Sequence, residues 1–388
     1  MQLPKIAIVC NSYPTKKNAT NQIFIKNLVM ELNRQSIIPY VYYNPIYNYW
    51  GNASNSKNLL SNIIKYSFFT IGILRLIIRI KSYDLLNPHG VMPSGFVSVF
   101  IKRFFNIPVA IHIHGGDLNL YKSSNMIYKK IYDYTISNSD VVIVNSNNIK
   151  RKLLELTGIT PSKLTVISPG IDYKKFYRMD IGKITEHKKT YGIHDDKTVL
   201  LFAGNAIKRK GLDILVKALN LLTTKELEKI FLIICSEGPE INTIKANLDD
   251  IKSIKGSVVF LKKVDQSGLR ILYNIATVFI FPSREEPLGL VGLESIACGT
   301  PVIGSNVGGI PEYINKNNGL LFDPNEPKEL ASIISTILNN QKVISSFNNK
   351  IDKKKAEHDI NVTVKRLIDI FCKLQKSSLL EKSRYEIR

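Results

Sequence analysis

The chain has 388 residues, 44% hydrophobic and 22% charged, which describes an ordinary globular protein too long for a single core, so two domains are expected. Lys and Arg number 53 against 32 Asp and Glu, a formal net charge of +21. Such a field attracts anions, whether nucleic acid, acidic lipid or phosphorylated substrates, although a Lys- and Asn-rich solvated surface produces the same balance. Four cysteines at 10, 235, 298 and 372 stand far apart without metal-like spacing, as expected of reduced thiols in a cytosolic protein rather than a disulfide framework.

The first strand is expected in KIAIVC, an apolar run too short for the core of a secretory signal. QIFIKNLVMELNRQ at 22–35 has helical periodicity, and a second strand follows at 38–43. Residues 63–81, IIKYSFFTIGILRLIIRIK, are strongly apolar, but the longest charge-free run, Tyr66 to Leu74, is too short to span a membrane. On a helix, Lys65, Arg75 and Arg79 fall within an arc of roughly 80°. This suits either the surface of an anionic membrane or a crossover helix with its cations in water. Short Val- and Ile-rich strands recur at 84–87, 108–113, 140–145 and 163–168. A polar stretch at 172–197, containing HKKTYGIHDDK, is expected to be the linker region. Strands resume at 198–203, 230–235, 258–261, 278–282, 301–304 and 319–323. Fully apolar short strands alternating with helices indicate parallel sheets covered on both faces, hence two doubly wound α/β domains in tandem. At the end of the chain, Ile360, Val364, Leu367, Ile368 and Phe371 recur at the spacing of an amphipathic helix.

In open parallel sheets, ligands bind beyond the carboxyl ends of the strands. Polar and Gly-rich sequence stands at just these places. His114-Gly115-Gly116-Asp117 follows one strand, and GNAIKRKG, with Lys208, Arg209 and Lys210, follows another. Ser236-Glu237-Gly238-Pro239, PSREEPLGLVGLE at 282–294 and SNVGGIPE ending at Glu312 complete the set. Gly289 and Gly292 are expected to open a helix running to about Cys298, whose free N–H groups can hold a phosphate. Lys210 and Arg209 can add cations to it. Glu286 and Glu294 would repel a diphosphate and are better suited to accept hydrogen bonds from hydroxyls. Glu294 lies roughly 7–8 Å along that helix, so one carboxylate can meet a sugar and the other a ribose. His114 and His89 both follow strands, where either is a functional group or a hydrogen-bonded core histidine. Asp117 is read equally as a helix cap, and Glu312 as support for a helical first turn.

FPSREEPLGLVGLESIACGTPVIGSNVGGIPEYI resembles the signature of the family 4 retaining glycosyltransferases of the GT-B fold, with its two Glu residues. YDLLNPHGVMPSG, IHIHGGD, ISPGID and AGNAIKRKG resemble further motifs of that family in the same order, so that the resemblance spans roughly residues 1 to 375. It implies two Rossmann-like domains facing an interdomain cleft. Residues 1–178 would bind the acceptor and 179–357 the nucleotide-sugar donor, with a helix from about 358 to 388 crossing back onto the first. It implies that Glu286 contacts the transferred sugar and Glu294 the ribose, and that Lys210 and the amides near Gly289 and Leu290 bind the diphosphate. His114 would face the reaction centre, with Asp117 and His89 on the acceptor side. Two departures stand out. Asn205 follows the strand-end Gly204 where the family often has Arg, which leaves two readings, Arg209 compensating or not, and the first loop reads PTKKNATN, with Lys16 and Lys17, where a Gly pair is common.

There is no Asp-x-Asp pair, no G-x-x-x-x-G-K-[ST], no G-x-G-x-x-G and no zinc-type cluster. The resulting expectation is a cytoplasmic, retaining hexosyltransferase without metal or cofactor. It would move a sugar from a nucleoside diphosphate donor to a lipid-linked or polysaccharide hydroxyl at the inner membrane face. An anionic membrane surface is expected as a partner and nucleic acid is not. The alternatives are a non-catalytic basic binding protein on the same scaffold, or a related epimerase or phosphorylase.

Overall fold

The structure, a computed structural model, describes residues 3–14, 22–43, 73–254, 256–340, 342–348 and 358–386. Lys16, Lys17 and Lys65, the loop 45–58 and residues 63–72 of the basic apolar segment lie outside the described residues. The chain forms two compact units, one of residues 1–169 with 360–388 and one of residues 170–359.

The first unit carries a parallel six-stranded sheet of β1 (Ile6–Cys10), β2 (Tyr40–Tyr43), β3 (Leu85–His89), β4 (Ala110–Ile113), β5 (Val141–Val144) and β6 (Leu164–Val166), in the order β2-β1-β3-β4-β5-β6. The second carries β7 (Thr198–Ala203), β8 (Ile230–Cys235), β9 (Val258–Leu261), β10 (Val278–Phe281), β11 (Val302–Ser305) and β12 (Gly319–Phe322), in the order β12-β11-β10-β7-β8-β9. All pairings within both sheets are parallel. Successive residues of one strand enter different cores. Ala7 and Val9 pack into the cluster on one face of the first sheet, Ile6 and Ile8 into the cluster on the other. Val199 and Leu201 likewise separate from Leu200 and Phe202. With a side-chain period of two, only a sheet covered on both faces needs such continuous apolar strands.

The polar stretch at 172–197 is not a linker. It belongs to the second unit, which begins at Gly170. Ile171, Phe176, Ile184 and Ile193 are buried in that unit's core, and Ile181–Thr190 is a helix. The Asn274 side chain fixes the backbone ahead of that helix, accepting from Met179 N at 2.8 Å and donating to Tyr177 O at 3.0 Å. Four apolar side chains in a polar sequence are enough to dock it.

The C-terminal helix Ile360–Glu386 packs within the first unit. Ile360, Val364, Leu367 and Phe371 are buried with Ile25, Leu28 and Leu32 of the helix Ile23–Arg34. Each such side chain contributes about 1.5–3 kcal/mol on leaving water. Thr363 Oγ1 donates to Ser168 O and Arg366 Nη2 to Val166 O, both at 2.9 Å, fixing the helix against the end of β6. Among the described residues, no helix is long and apolar enough to cross a membrane.

Candidate active site

In the second sheet the strand order reverses between β7 and β10, which lie side by side. A ligand site is expected at such a switch point, beyond the carboxyl ends. β7 runs into Gly204 and the basic turn Lys208–Lys210, and β10 runs into Pro282 and the segment ending at Glu286. Here Lys210 Nζ donates to Glu286 Oε2 at 2.5 Å, and Arg209 Nη1 lies 3.9 Å from the same oxygen. Arg209 Nη1 also donates to Glu285 O at 3.0 Å. Asn205, at the position where Arg was expected, is exposed, and the guanidinium of Arg209 occupies this corner instead. Gly204 hydrogen-bonds through its N–H to Cys235 O at 3.1 Å and continues the sheet.

Close backbone approach makes this corner. A Cβ on Gly211 would stand 1.8 Å from Pro282 O, and one on Gly308 would stand 1.8 Å from Glu286 O. Both glycines have positive φ, so the sequence serves the turn and the contact together. Arg284 forks onto Asp213 at 2.6 and 2.8 Å and donates to Lys208 O at 2.8 Å, tying the two loops together. Burial acts to raise the Asp213 carboxyl, but the bonds from Arg284 and Lys208 prevail and hold it at about 2. Asp213 and Arg284 were missed in the sequence. Their only signal was opposite charge beside the Lys-Gly turn and the double-Glu block.

The helix Leu290–Ala297 begins at Gly289, which has φ 91°, and no side chain caps it. Its first N–H groups, at Leu290 and Val291, have no partner within the helix, and its N-terminus carries a partial positive charge. Tyr313 Oη donates to Gly289 O at 2.9 Å, and a Cβ on Gly292 would stand 2.3 Å from that hydroxyl. Glu294, on the same helix, is buried, with 8% exposure, and accepts a hydrogen bond from Tyr273 Oη at 3.2 Å. Burial pushes its carboxyl up to about 8, against the opposing pull of the Tyr273 bond and of Lys175, so it is largely protonated at neutral pH. The two glutamates thus differ in state as well as place: Glu286 is ion-paired and Glu294 is neutral.

In the first unit, His114, His89 and Asp117 gather at the ends of β3 and β4. His89 and His112 are register partners on adjacent strands, and their rings stack with centroids 4.4 Å apart. His89 Nδ1 lies 3.0 Å from His114 Nε2, and His89 Nε2 lies 3.3 Å from Asn87 Oδ1. His114 Nδ1 lies 3.3 Å from Asn145 Nδ2. Burial holds all three imidazoles below the ordinary histidine range, His114 at about 4. Asp117 opens the helix Gly116–Ser123, and its carboxylate accepts from Val91 N at 2.9 Å and His114 N at 3.4 Å. It braces the two strand ends. His89 is 4% exposed with both ring nitrogens engaged, and His114 is engaged at both as well.

Among the described residues, His89, His112 and His114 are the only group able to offer three metal donors, with ligand atoms within 4.8 Å of one another. The stacked pair is unfavourable for that use. Its ring planes are 8° from parallel, so a cation in the plane of one ring lies outside the plane of the other.

Residues 183–357 match the family described as Glycosyl transferases group 1, and residues 24–175 match Glycosyltransferase Family 4. The chain is 30% identical over 275 residues to an uncharacterized glycosyltransferase of Methanocaldococcus jannaschii, covering 68% of each protein. The chain belongs to the family 4 glycosyltransferases. This family 4 glycosyltransferase is also 26% identical over 320 residues to D-inositol 3-phosphate glycosyltransferase 2 of Catenulispora acidiphila, over 78% of this chain and 74% of that one. Its fold is that of Anabaena HepE in complex with UDP, with a TM-score of 0.76 over 95% of this chain and 100% of that one at 17% identity. The fold is GT-B, with two Rossmann-like domains.

Proposed function

We propose that this glycosyltransferase moves a hexose-type sugar from a nucleoside diphosphate donor, with retention of configuration, to a hydroxyl of a lipid-linked or polysaccharide acceptor in cell-surface polysaccharide synthesis. The carrying observation is the Lys210–Glu286 pair at the β7/β10 switch point, beside the uncapped N-terminus at Gly289. Lys210, with Arg209 next to it, supplies positive charge for a leaving diphosphate, and the helix amides supply donors. Charge stabilisation of that kind needs neither metal ion nor cofactor. Glu286 keeps an anionic oxygen for sugar hydroxyls or for positive charge developing at the reacting carbon. Glu294 meets the ribose. The UDP named with Anabaena HepE and the sugar transfer named for the Catenulispora relative support a nucleotide-sugar donor.

Retention follows the family resemblance and fits the chemistry of the described residues. Glu286 is committed to two cations, so the donor's own phosphate oxygen takes the acceptor's proton. The acceptor belongs to a membrane periphery on the cytoplasmic side. Leu74 and Ile78 are exposed in helical residues 73–78, beside exposed Arg75, Arg79 and Lys81, a mixture suited to anionic lipid.

The test is incubation with a panel of nucleoside diphosphate sugars, following nucleoside diphosphate release and the product anomer by proton NMR. An α-configured donor is expected to give an α product. An inverted product overturns retention, and a donor that binds without any release returns the protein to the non-catalytic alternative.

A further inference from the structure

The histidine cluster holds a hydrogen-bond series whose direction is set by a single backbone carbonyl. Asn87 Nδ2 donates to Ala110 O at 2.7 Å. A carbonyl only accepts, so the amide cannot be turned around, and Asn87 Oδ1 must face His89 Nε2 at 3.3 Å. That nitrogen therefore carries hydrogen. In a neutral imidazole the other nitrogen is then bare, so His89 Nδ1 accepts, and its partner at 3.0 Å, His114 Nε2, must be the donor. His114 Nδ1 is left bare and accepts from Asn145 Nδ2 at 3.3 Å. Four side chains are ordered from one end.

We propose that Asn87, anchored on the Ala110 carbonyl, is a positioning residue that fixes both His89 and His114 as neutral Nε2–H tautomers with no place for a second proton. A second proton has no place in the series. On His89 it would set Nδ1–H against His114 Nε2–H, and on His114 it would set Nδ1–H against the Asn145 amide hydrogens. Burial of the three rings acts in the same direction. The surroundings add little charge. His112 stacks on His89, and Asp117 accepts the backbone N–H of His114. The helix Ile23–Arg34 presents Phe24 and Leu28 to the cavity beside the rings, and the helix Ile360–Glu386 presents Thr363 and Leu367. That cavity, about 20 Å³, has room for about one water molecule, and the unpartnered His112 Nε2 lies in its lining side chain. His112 stands outside the ordered series, so its tautomer is free.

The inference rests on His114 taking part in the proposed reaction only for its kinetic arm, and the structural arm is independent of activity. Long-range proton–nitrogen NMR of protein labelled with nitrogen-15 histidine reads each tautomer directly. His89 and His114 are expected as Nε2–H, with bare Nδ1, from pH 8 down to about 5. An Nδ1–H form or an imidazolium for either ring at pH 7 overturns the proposal without any variant. In folded Asn87→Leu, both rings are expected to show mixed tautomers, and unchanged tautomers there would also overturn it. Asn87→Asp keeps the acceptor and adds charge, so His89 is expected to protonate and to drive His114 to the Nδ1–H form. In the kinetic arm, wild-type kcat should show no acid limb between pH 6 and 7, and Asn87→Asp should introduce one. Asn87→Leu should lower kcat about tenfold with donor KM little changed, the worth of one ordinary hydrogen bond. An inactive wild type with the expected tautomers would count against the reaction and leave the series standing.

Discussion

Lys210 Nζ and Glu286 Oε2 stand 2.5 Å apart although 76 residues separate them in the chain. The side chains are 18% and 10% exposed, so solvent screens the pair only in part. A donor diphosphate arriving here competes with Glu286 for the ammonium. Lys210→Ala is expected to lower kcat by about 10²–10³, as when one donor to developing negative charge is removed. Glu286→Gln releases Lys210 to the diphosphate, so donor KM should stay level or fall while kcat drops. Steady-state kinetics on both variants check this, and full turnover in Glu286→Gln would show that the two roles are assigned wrongly.

Gly308 tests the backbone that carries Glu286. A Cβ there would meet Glu286 O at 1.8 Å, and the residue has φ +61°. Gly309 N also donates to that carbonyl at 3.0 Å. Gly308→Ala is expected to destabilise the protein by more than about 1 kcal/mol and to depress activity further than the stability loss explains. Gly182→Ala is the contrast. It lies in the helix Ile181–Thr190, nothing stands within 4 Å of its Cβ, and a gain of up to about 1 kcal/mol is expected. Thermal denaturation and activity of the two variants compare them.

The sheets were legible because their strands are buried on both faces and therefore apolar without interruption, as in Ile-rich β8 and VVIV of β5. The helix Leu290–Ala297 was legible from its glycines. The docking of 172–197 was not, because its average polarity hides Phe176 and Ile184, which fill the core. Partners far apart in sequence were also hidden. Tyr273 meets its partner Glu294 only once the helices before and after β10 pack together, and Arg284 meets its partner Asp213 only once β7 and β10 pair. Asn87 was invisible for a different reason. A polar residue in an apolar strand gives no sign of the carbonyl that will orient it.

Membrane association is expected to be peripheral and electrostatic. Arg75 and Arg79 are exposed, and the formal net charge is +21. Salt shortens the screening length to about 8 Å at physiological ionic strength and about 3 Å at 1 M. Sedimentation with anionic vesicles should therefore fall steeply as salt rises, and Arg75→Gln with Arg79→Gln should weaken it at low salt. Equal binding to neutral and anionic vesicles would rule the mechanism out.

Glu294 makes both stability and donor binding depend on pH, with signs that follow from burial. In the folded protein its carboxyl is raised to about 8, from an ordinary value of 4.5. Between those values the folded state holds a proton that the unfolded state has lost, so this group's contribution falls as pH rises from about 4.5 to 8. The slope is on the order of 1 kcal/mol per pH unit, and it levels off above 8. Glu294→Gln carries no titrating proton, so its denaturation free energy should lose that slope and gain on wild type as pH rises. Donor binding moves the other way. Ribose hydroxyls are better met by the carboxylate, whose hydrogen bonds are worth about 1.5–3 kcal/mol, but near neutral pH the proton must first be driven off. The affinity advantage of wild type over Glu294→Gln should therefore grow as pH rises through 8. Titration calorimetry in buffers of different ionisation enthalpy should register proton release on donor binding by wild type and none by the variant. A pH-independent ratio of affinities would mean that Glu294 is already ionised in the free protein or does not meet the donor.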